Sequence, residues 1–134
     1  MLPDFLYKML QEQYEDESIN KIIEGFSKNR KATIRVNTIK TSNEKIKEIL
    51  KENGIEFTTV KWFENALIIE NVRKDEIRKL DIYKNGEIYM QSLSSMIPVI
   101  VLNSQKGENI LDMTAAPGGK TTQISAMTNN EALI

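Results

Sequence analysis

The stretch ATIRVNTIKTSNEKIKEILKENG, residues 32–54, decides the fold because it joins a well-marked strand to a well-marked helix. Its first six residues are rich in β-branched side chains and alternate between apolar and polar, as a half-buried strand does. Ser42 then offers an N-cap, isoleucine and leucine side chains recur at helical spacing, and Gly54 is a good terminator. The sequence therefore predicts a strand at 32–37 and a helix that ends at Gly54.

The residues that follow extend this pattern to a complete module. Alternating and β-rich segments predict strands at 55–62, 66–70 and 87–91, and KDEIRKL predicts a short helix at 74–80. The resulting order, β-α-β-β-α-β, is the ferredoxin-like pattern that RNA-recognition motifs also use. The aromatic signature with which those motifs stack bases is absent from the sequence. We therefore predict a ferredoxin-like, RRM-like α+β domain over 31–91, which would contact RNA through other side chains.

Helical periodicity marks the residues before this domain. Apolar side chains recur at helical spacing over 4–27, and the acidic run at 15–17 is expected to divide the segment into two helices, the second capped by Ser18. We assign residues 1–30 to an N-terminal helical segment. The longest apolar run, 96–102, is far below the roughly 20 residues that cross a membrane, and no signal peptide is evident. These features lead us to expect a soluble, cytoplasmic protein with no membrane partner.

Composition excludes several kinds of chemistry within these 134 residues. Hydrophobic residues make up 40% of the chain and charged residues 28%, which is enough for a folded core, and the net charge is −1. The sequence holds no cysteine and no histidine. A disulfide scaffold, a Cys/His zinc site, a cysteine nucleophile and a histidine base are therefore excluded within this chain, and we predict no metal site.

Residues 92–134 predict a second kind of unit. Ser94 and Ser95 can open a helix that tolerates Pro98 in its first turn, and NILDM at 109–113 predicts a short strand. A Gly-rich loop, a helix TTQISAM and the opening of another strand follow. This is the order of the first βαβ unit of a doubly wound, Rossmann-like fold, so the chain as a whole is predicted to be α/β.

The loop within LDMTAAPGGKT, residues 111–121, is the segment best suited to bind a ligand. Two glycines allow close approach to the backbone, the amides of the next helical turn attract an anion, and Lys120 adds positive charge. Asp112 is expected to order the loop through hydrogen bonds. A nucleoside triphosphate is disfavoured because Thr114 replaces the first glycine of a P-loop, and a dinucleotide because G-x-G-x-x-G is absent. The third ligand, S-adenosylmethionine, has a carboxylate that suits the helix.

Several segments resemble the NOL/NOP/Sun family of RNA cytosine-C5 methyltransferases. LDMTAAPGGKTTQ at 111–123 is similar to the family's S-adenosylmethionine-binding motif, LDxCAAPGGKTTx, with Thr114 in place of the usual cysteine. ATIRVNTIKTS at 32–42 is similar to its RVNTLK segment, and GEIYMQSLSSMIPV at 86–99 is similar to a segment that packs beside the cofactor. The opening LPDFLYKM also resembles the start of bacterial ribosomal-RNA members. The resemblance thus covers essentially the whole chain.

The resemblance implies RNA 5-methylcytosine formation, in which a cysteine thiolate adds to cytosine before the methyl group is transferred. The family's two working cysteines, its cytosine-binding aspartate and its ribose-binding acid would all lie beyond residue 134. We therefore expect an N-terminal fragment of a 16S rRNA methyltransferase, separated from its catalytic half, that binds S-adenosylmethionine weakly or not at all alone. The alternative is a stand-alone RNA-binding or interaction module with a vestigial cofactor motif.

Two sets of site residues follow. The partial S-adenosylmethionine site that the resemblance implies consists of Thr114, Ala115, Ala116, Pro117, Gly118, Gly119 and Lys120. Ribosomal or transfer RNA is expected to meet a segment with eight lysines and arginines against two glutamates over 28–51, through Lys28, Arg30, Lys31, Arg35 and Asn37.

Two alternatives to RNA contact stay open for these residues. Pairs at i,i+3 between Glu44 and Lys47, and between Glu48 and Lys51, would make the basic segment an ordinary solvated helix face. Arg35 and Asn37 alternate with the apolar residues of their strand, so they would serve equally well to organise contacts between this domain and the next.

Overall fold

The computed structural model describes residues 2–28 and 30–134. The chain divides into two compact units, with the boundary between Arg30 and Lys31. The first unit is helical and the second holds the β-sheet. Among the helices of the described residues, none has both the length and the apolar character that a membrane crossing requires.

The first unit consists of two helices, α1 (Asp4–Gln13) and α2 (Asp16–Ser27). The predicted division into two helices is confirmed, but the predicted cap at Ser18 is wrong, because Glu15 is the N-cap residue of α2. Acidic side chains in the first turn of a helix are stabilised by the helix dipole. Asp16 and Glu17 therefore begin the helix and do not interrupt it.

The second unit contains a four-stranded antiparallel sheet with the strand order β2-β3-β1-β4. Its elements follow one another as β1 (Thr33–Val36), α3 (Asn43–Glu52), β2 (Phe57–Thr59), β3 (Ala66–Ile69), α4 (Lys74–Lys79), α5 (Asp81–Lys84) and β4 (Ile88–Met90). The predicted ferredoxin-like order is confirmed, with the one-turn helix α5 as an addition.

Helix α3 forms between the start and stop signals that the sequence provides. The Ser42 Oγ accepts a hydrogen bond from the Lys45 amide at 3.3 Å. At the other end, Gly54 has a φ of +66°, and the Ile55 amide donates to the Leu50 carbonyl at 2.8 Å, as in a Schellman motif. Because Ile55 closes the helix, β2 begins only at Phe57 and is shorter than the predicted strand.

The two faces of the sheet are covered differently. On one face, fully buried side chains of the strands pack against α3 and α4, each contributing about 1.5–3 kcal/mol of hydrophobic stabilisation; this cluster includes Ile34, Leu67, Ile69, Ile46, Leu50 and Ile77. On the opposite face, Ala66 packs with Met96 of α6 (Leu93–Leu102). RNA-recognition motifs use their open sheet face to stack bases, whereas α6 covers part of that face here.

Helix α6 begins earlier than predicted. Its N-cap is Ser92, whose Oγ accepts from the Ser95 amide at 3.3 Å, so the predicted opening at Ser94 is wrong by two residues. Pro98 consequently lies in the second turn of the helix and not in the first. The sequence carries serine at 92, 94 and 95, and the cap is the serine whose backbone is extended.

The predicted strand at 109–113 is reduced to a single parallel bridge between Asn109 and Leu133. Helix α7 (Gly119–Met127) lies between these two residues, so the β-α-β connection is present in its shortest form. Leu111 is 83% exposed and Met113 is 88% exposed. Parallel strands are normally buried on both faces, and these two side chains lack the apolar neighbours that would extend the ladder.

Candidate functional site

The glycine loop, residues 112–118, is held in place by Asp112. One carboxylate oxygen accepts from the Thr114 amide at 2.9 Å, and the other accepts from the Thr121 hydroxyl at 2.7 Å. These hydrogen bonds, first that of Thr121 and then that of the Thr114 amide, hold the pKa of Asp112 below its ordinary value. The predicted loop-ordering role of Asp112 is therefore confirmed.

The glycine loop leads directly into the N-terminus of α7, which is polar. Its N-cap is Gly118, whose φ of +102° favours glycine, and no side chain caps the helix. The first-turn amides and the ammonium group of Lys120 therefore remain available to an anion. A Cβ at Gly119 would lie 3.5 Å from Cε1 of Tyr89 and 3.6 Å from Cδ of Gln91, so it would fill without a clash the space that now separates this glycine from those two side chains.

A cavity of about 190 Å³ lies between the loop and the chain that runs from β4 into α6. One wall consists of Thr114, Ala116, Pro117, Gly119 and Lys120, and the other of Tyr89, Met90, Gln91, Ser92 and Ser95. Ala115 and Gly118, also predicted for the site, belong to the loop but do not line the cavity. Ligand pockets typically measure about 300–1,000 Å³, so this cavity has the size of part of a site.

Tyr89 and Gln91 are site residues that the sequence prediction did not include. The Tyr89 hydroxyl donates to the Pro117 carbonyl at 3.1 Å. The Gln91 amide nitrogen donates to Oε1 of Gln123, which is buried in α7, at 3.0 Å. The resemblance placed their segment beside the cofactor. Tyr89 on β4 and Gln91 just after it alternate with the buried Ile88, and this alternation was the signal that they face the loop.

Arg35 lies behind this cavity and is only 2% exposed. Its Nε donates to Oε1 of Gln91 at 3.0 Å, its Nη2 donates to the Thr122 hydroxyl at 2.9 Å, and its guanidinium lies 5.7 Å from the centre of the Tyr89 ring. Burial lowers the pKa of Arg35 to about 10, so the side chain keeps its charge at neutral pH. The prediction that Arg35 contacts RNA is not supported, because the side chain is buried. Its hydrogen bonds to Gln91 and Thr122 fit the alternative of joining two parts of the chain.

Asn37 also makes its contacts within the chain. Its Nδ2 donates to the Gly86 carbonyl at 2.9 Å, and its Oδ1 accepts from the Ile39 amide at 3.3 Å. The side chain thus joins the end of β1 to the turn before β4. Its predicted contact with RNA stays a prediction.

The remaining basic residues lie on the surface. Lys28 forms an ion pair with Glu24 at 3.0 Å within the first unit, and Lys31 pairs with Glu70 within the second. Arg30 is exposed. Such exposed pairs contribute little to stability, which leaves these cations free to exchange partners.

The alternative explanation of the basic segment was a set of ion pairs along α3, and these ion pairs do not form. Lys45 pairs with Glu87 at 3.4 Å. In α3, whose residues are all described, neither Glu44 and Lys47 nor Glu48 and Lys51 lie within ion-pair distance. Lys47 and Lys51 therefore form no ion pair along the helix, although the charge of Lys47 still acts on Glu44.

Comparisons with known proteins agree with the two parts of this architecture. Residues 2–74, more than half of the chain, match the RsmF/B-like methyltransferase ferredoxin-like domain, and residues 99–134 match the 16S rRNA methyltransferase RsmB/F family. The chain is 32% identical over 133 residues to the ribosomal RNA small subunit methyltransferase F of Shewanella sp. (strain ANA-3), covering 98% of this chain and 28% of that protein.

Two other organisms supply further relatives. A 28S rRNA (cytosine-C(5))-methyltransferase of Mus musculus is 33% identical over 132 residues, covering 98% of this chain and 16% of that protein. The crystal structure of a methyltransferase homolog protein from Pyrococcus horikoshii matches with a TM-score of 0.73 and 29% identity, covering 98% of this chain and 47% of that one. The chain spans less than a third of the length of these curated relatives. It belongs to the RsmB/F (NOL/NOP/Sun) family of RNA cytosine-C5 methyltransferases.

Proposed function

We propose that this chain carries the ferredoxin-like module and the first part of the S-adenosylmethionine site of a small-subunit rRNA cytosine-C5 methyltransferase. The family uses S-adenosylmethionine, and the glycine loop matches its motif. The observation that supports the proposal most directly is the cavity between the glycine loop and β4, beside the uncapped N-terminus of α7.

The loop residues suit this cofactor in their chemistry. The first-turn amides of α7 and the ammonium group of Lys120 provide a positive field for the methionyl carboxylate. Gly119 leaves room that a Cβ would fill, and Asp112 keeps the loop ordered. The cofactor would supply the methyl group, and the loop from Thr114 to Lys120 would hold and orient it.

The chain alone is proposed not to transfer a methyl group. Its 134 residues contain no cysteine, so no thiolate of this chain can add to a cytosine ring. The cavity of about 190 Å³ is also smaller than a typical complete ligand site. Both points support a role for the chain as one part of a larger catalytic assembly, together with a catalytic portion that carries the thiolate.

RNA contact is proposed for the exposed cations Lys28, Arg30 and Lys31, and ribosomal RNA is the proposed partner because the relatives are named as rRNA methyltransferases. We further propose three functional segments: helices at 1–30, the ferredoxin-like domain at 31–91 and the start of the methyltransferase domain at 92–134. Arg35 is left out of the proposed RNA surface because it is buried.

A gel-shift titration of the chain against a 16S rRNA fragment at low salt tests the RNA part of this proposal. Replacing Lys28, Arg30 and Lys31 together with alanine is expected to weaken binding about tenfold or more, because phosphate contacts act through counter-ion release. The matched control replaces Lys74, Lys79 and Lys84, which removes the same charge elsewhere. Equal weakening of both variants, or no binding by the parent chain, would contradict the proposed surface.

A second candidate function is an RNA-binding module in which the cofactor motif is vestigial. The self-contained core of the ferredoxin-like sheet favours it, since that core includes none of the loop residues. A titration with S-adenosylmethionine separates the two candidates. Weak binding at the glycine loop supports the methyltransferase part, whereas RNA binding with no cofactor binding supports the module.

A further inference from the structure

A network of side-chain hydrogen bonds joins the ferredoxin-like sheet to the glycine loop. Arg35 on β1 donates to Gln91 after β4 and to Thr122 in the first turn of α7. The Thr122 hydroxyl donates in turn to the Gly118 carbonyl at 2.7 Å. The network therefore reaches from the central strand of the sheet to the residue that caps α7.

A gain in folding stability does not explain the buried charge of Arg35 at the centre of this network. Burying a charge is costly unless it is well paired. Among the described residues Arg35 forms no ion pair, and its partners are a neutral amide, a hydroxyl and an aromatic ring. An apolar side chain would fill the same space without that cost, so the arrangement points to a need for directional contacts.

Arg35 imposes direction because a guanidinium can only donate. The Thr122 oxygen accepts from Arg35, so its own proton is directed to the Gly118 carbonyl. Gln91 likewise accepts from Arg35 through Oε1, so its amide nitrogen faces Gln123 of α7 at 3.0 Å. Both partners are thus fixed in the one orientation that ties α7 to β4.

We infer that Arg35 is a positioning residue for the glycine loop: its bonds to Gln91 and Thr122 fix the first turn of α7 against β4 and so set the width of the cavity between them. The value of that cavity as a cofactor site rests on the proposed function. The positioning itself rests only on the contacts, and it assigns the sheet face that α6 partly covers a direct part in shaping the loop.

Hydrogen exchange on the whole chain tests this inference. Arg35→Met is expected to speed exchange of the Thr122 and Gln123 amides about tenfold or more, as expected for losing a hydrogen bond to a charged group. The Leu67 amide, in the centre of the sheet, is expected to keep its rate within about threefold, because apolar packing around it is retained. Arg35→Lys keeps the charge but has a single donor nitrogen, so its exchange rates are expected to fall between those of the parent chain and of Arg35→Met.

A second variant and a matched control keep the test decisive. Thr122→Val removes the hydroxyl from the other end of the bond and is expected to speed exchange of the same amides. In the double variant Arg35→Met with Thr122→Val, these exchange rates are expected to exceed those of either single variant by no more than about threefold, because the two changes remove one shared interaction. Thr128→Val removes a buried hydroxyl that bonds to Ile124 within α7 and is expected to leave the Thr122 amide unchanged.

The inference is overturned if exchange rises equally at Leu67 and Thr122, which would mean a general loss of stability, or if Thr122 is unaffected. If Arg35→Met does not fold, the same readings on Thr122→Val decide the matter. A parallel titration with S-adenosylhomocysteine separates this inference from the proposed function. If the variants speed exchange at Thr122 and Gln123 but the parent chain does not bind the ligand, the positioning role is supported and only the proposed cofactor site is contradicted.

Discussion

Alanine substitutions at two adjacent glycines, Gly118 at the end of the glycine loop and Gly119 at the start of α7, are expected to have different effects. Gly118 has a φ of +102° with no atom within 4 Å of a Cβ built on it, so an alanine there would suffer backbone strain and no clash. Holding a non-glycine residue at such an angle costs about 1–3 kcal/mol. Gly118→Ala is therefore expected to lower the free energy of unfolding by that amount.

Gly119→Ala is the matched partner because the same methyl group is added one residue later. Its backbone φ lies outside the left-handed region, and the new Cβ would meet Tyr89 and Gln91 at 3.5–3.7 Å, which is ordinary van der Waals contact. We expect its free energy of unfolding to stay within about 0.5 kcal/mol of the parent chain. The methyl group would instead occupy part of the 190 Å³ cavity and weaken ligand binding there.

Urea unfolding followed by circular dichroism measures the two free energies, and thermal melts provide a check, since 1 kcal/mol corresponds to roughly 4 °C for a domain of this size. The reasoning predicts a melting temperature that is lower for Gly118→Ala and unchanged for Gly119→Ala. An equal loss in both variants, or a larger loss in Gly119→Ala, would refute the assignment of strain to one glycine and of ligand space to the other.

Three further predictions concern the core, the loop and a helix cap. Leu50→Ala, at a fully buried position, is expected to lower the free energy of unfolding by about 2–5 kcal/mol, whereas Leu111→Ala, at an exposed position, should change it by less than about 0.5 kcal/mol in the same urea titration. The folded-state pKa of Asp112 is depressed by its hydrogen bonds, so its contribution to loop order is fully present above its ordinary pKa and is lost as the pH falls through the lower folded value. The protection of the Thr114 amide, taken as its exchange rate relative to the intrinsic rate at each pH, should fall with that loss, and Asp112→Asn should abolish the pH dependence of this protection; an unchanged protection profile would contradict it. Ser42→Ala is expected to lower the free energy of unfolding by about 1 kcal/mol, measured by thermal melts, because it removes the N-cap of α3.

The parts of the fold that the sequence predicts are those specified by neighbouring residues. Ser42 and Gly54 mark both ends of α3, and alternation places Ile34 and Arg35 on opposite faces of β1. The pattern cannot report what covers each face. Arg35 meets Thr122, which lies 87 residues further along the chain, so its burial follows from tertiary packing and not from local periodicity.

The loop and its neighbours show the same limit. The motif predicts the glycine loop itself, and Asp112 orders it as expected. The second wall of the cavity was predicted only as a segment, since the resemblance placed residues 86–99 beside the cofactor without singling out Tyr89 and Gln91. The strand at 109–113 was predicted from apolar composition, but a parallel strand is normally covered by apolar neighbours on both faces, and Leu111 is 83% exposed.

The central claim is that the glycine loop and β4 form one part of an S-adenosylmethionine site. A titration of the ¹⁵N-labelled chain with S-adenosylmethionine, followed by ¹H–¹⁵N NMR, tests it most directly. We predict weak binding, with a Kd on the order of 1 mM, and chemical-shift changes confined to the loop amides between Thr114 and Lys120 and to Tyr89 and Gln91. Shifts elsewhere, or no shifts at millimolar ligand, would contradict the location of the site, and micromolar affinity would contradict the claim that this chain holds only part of it.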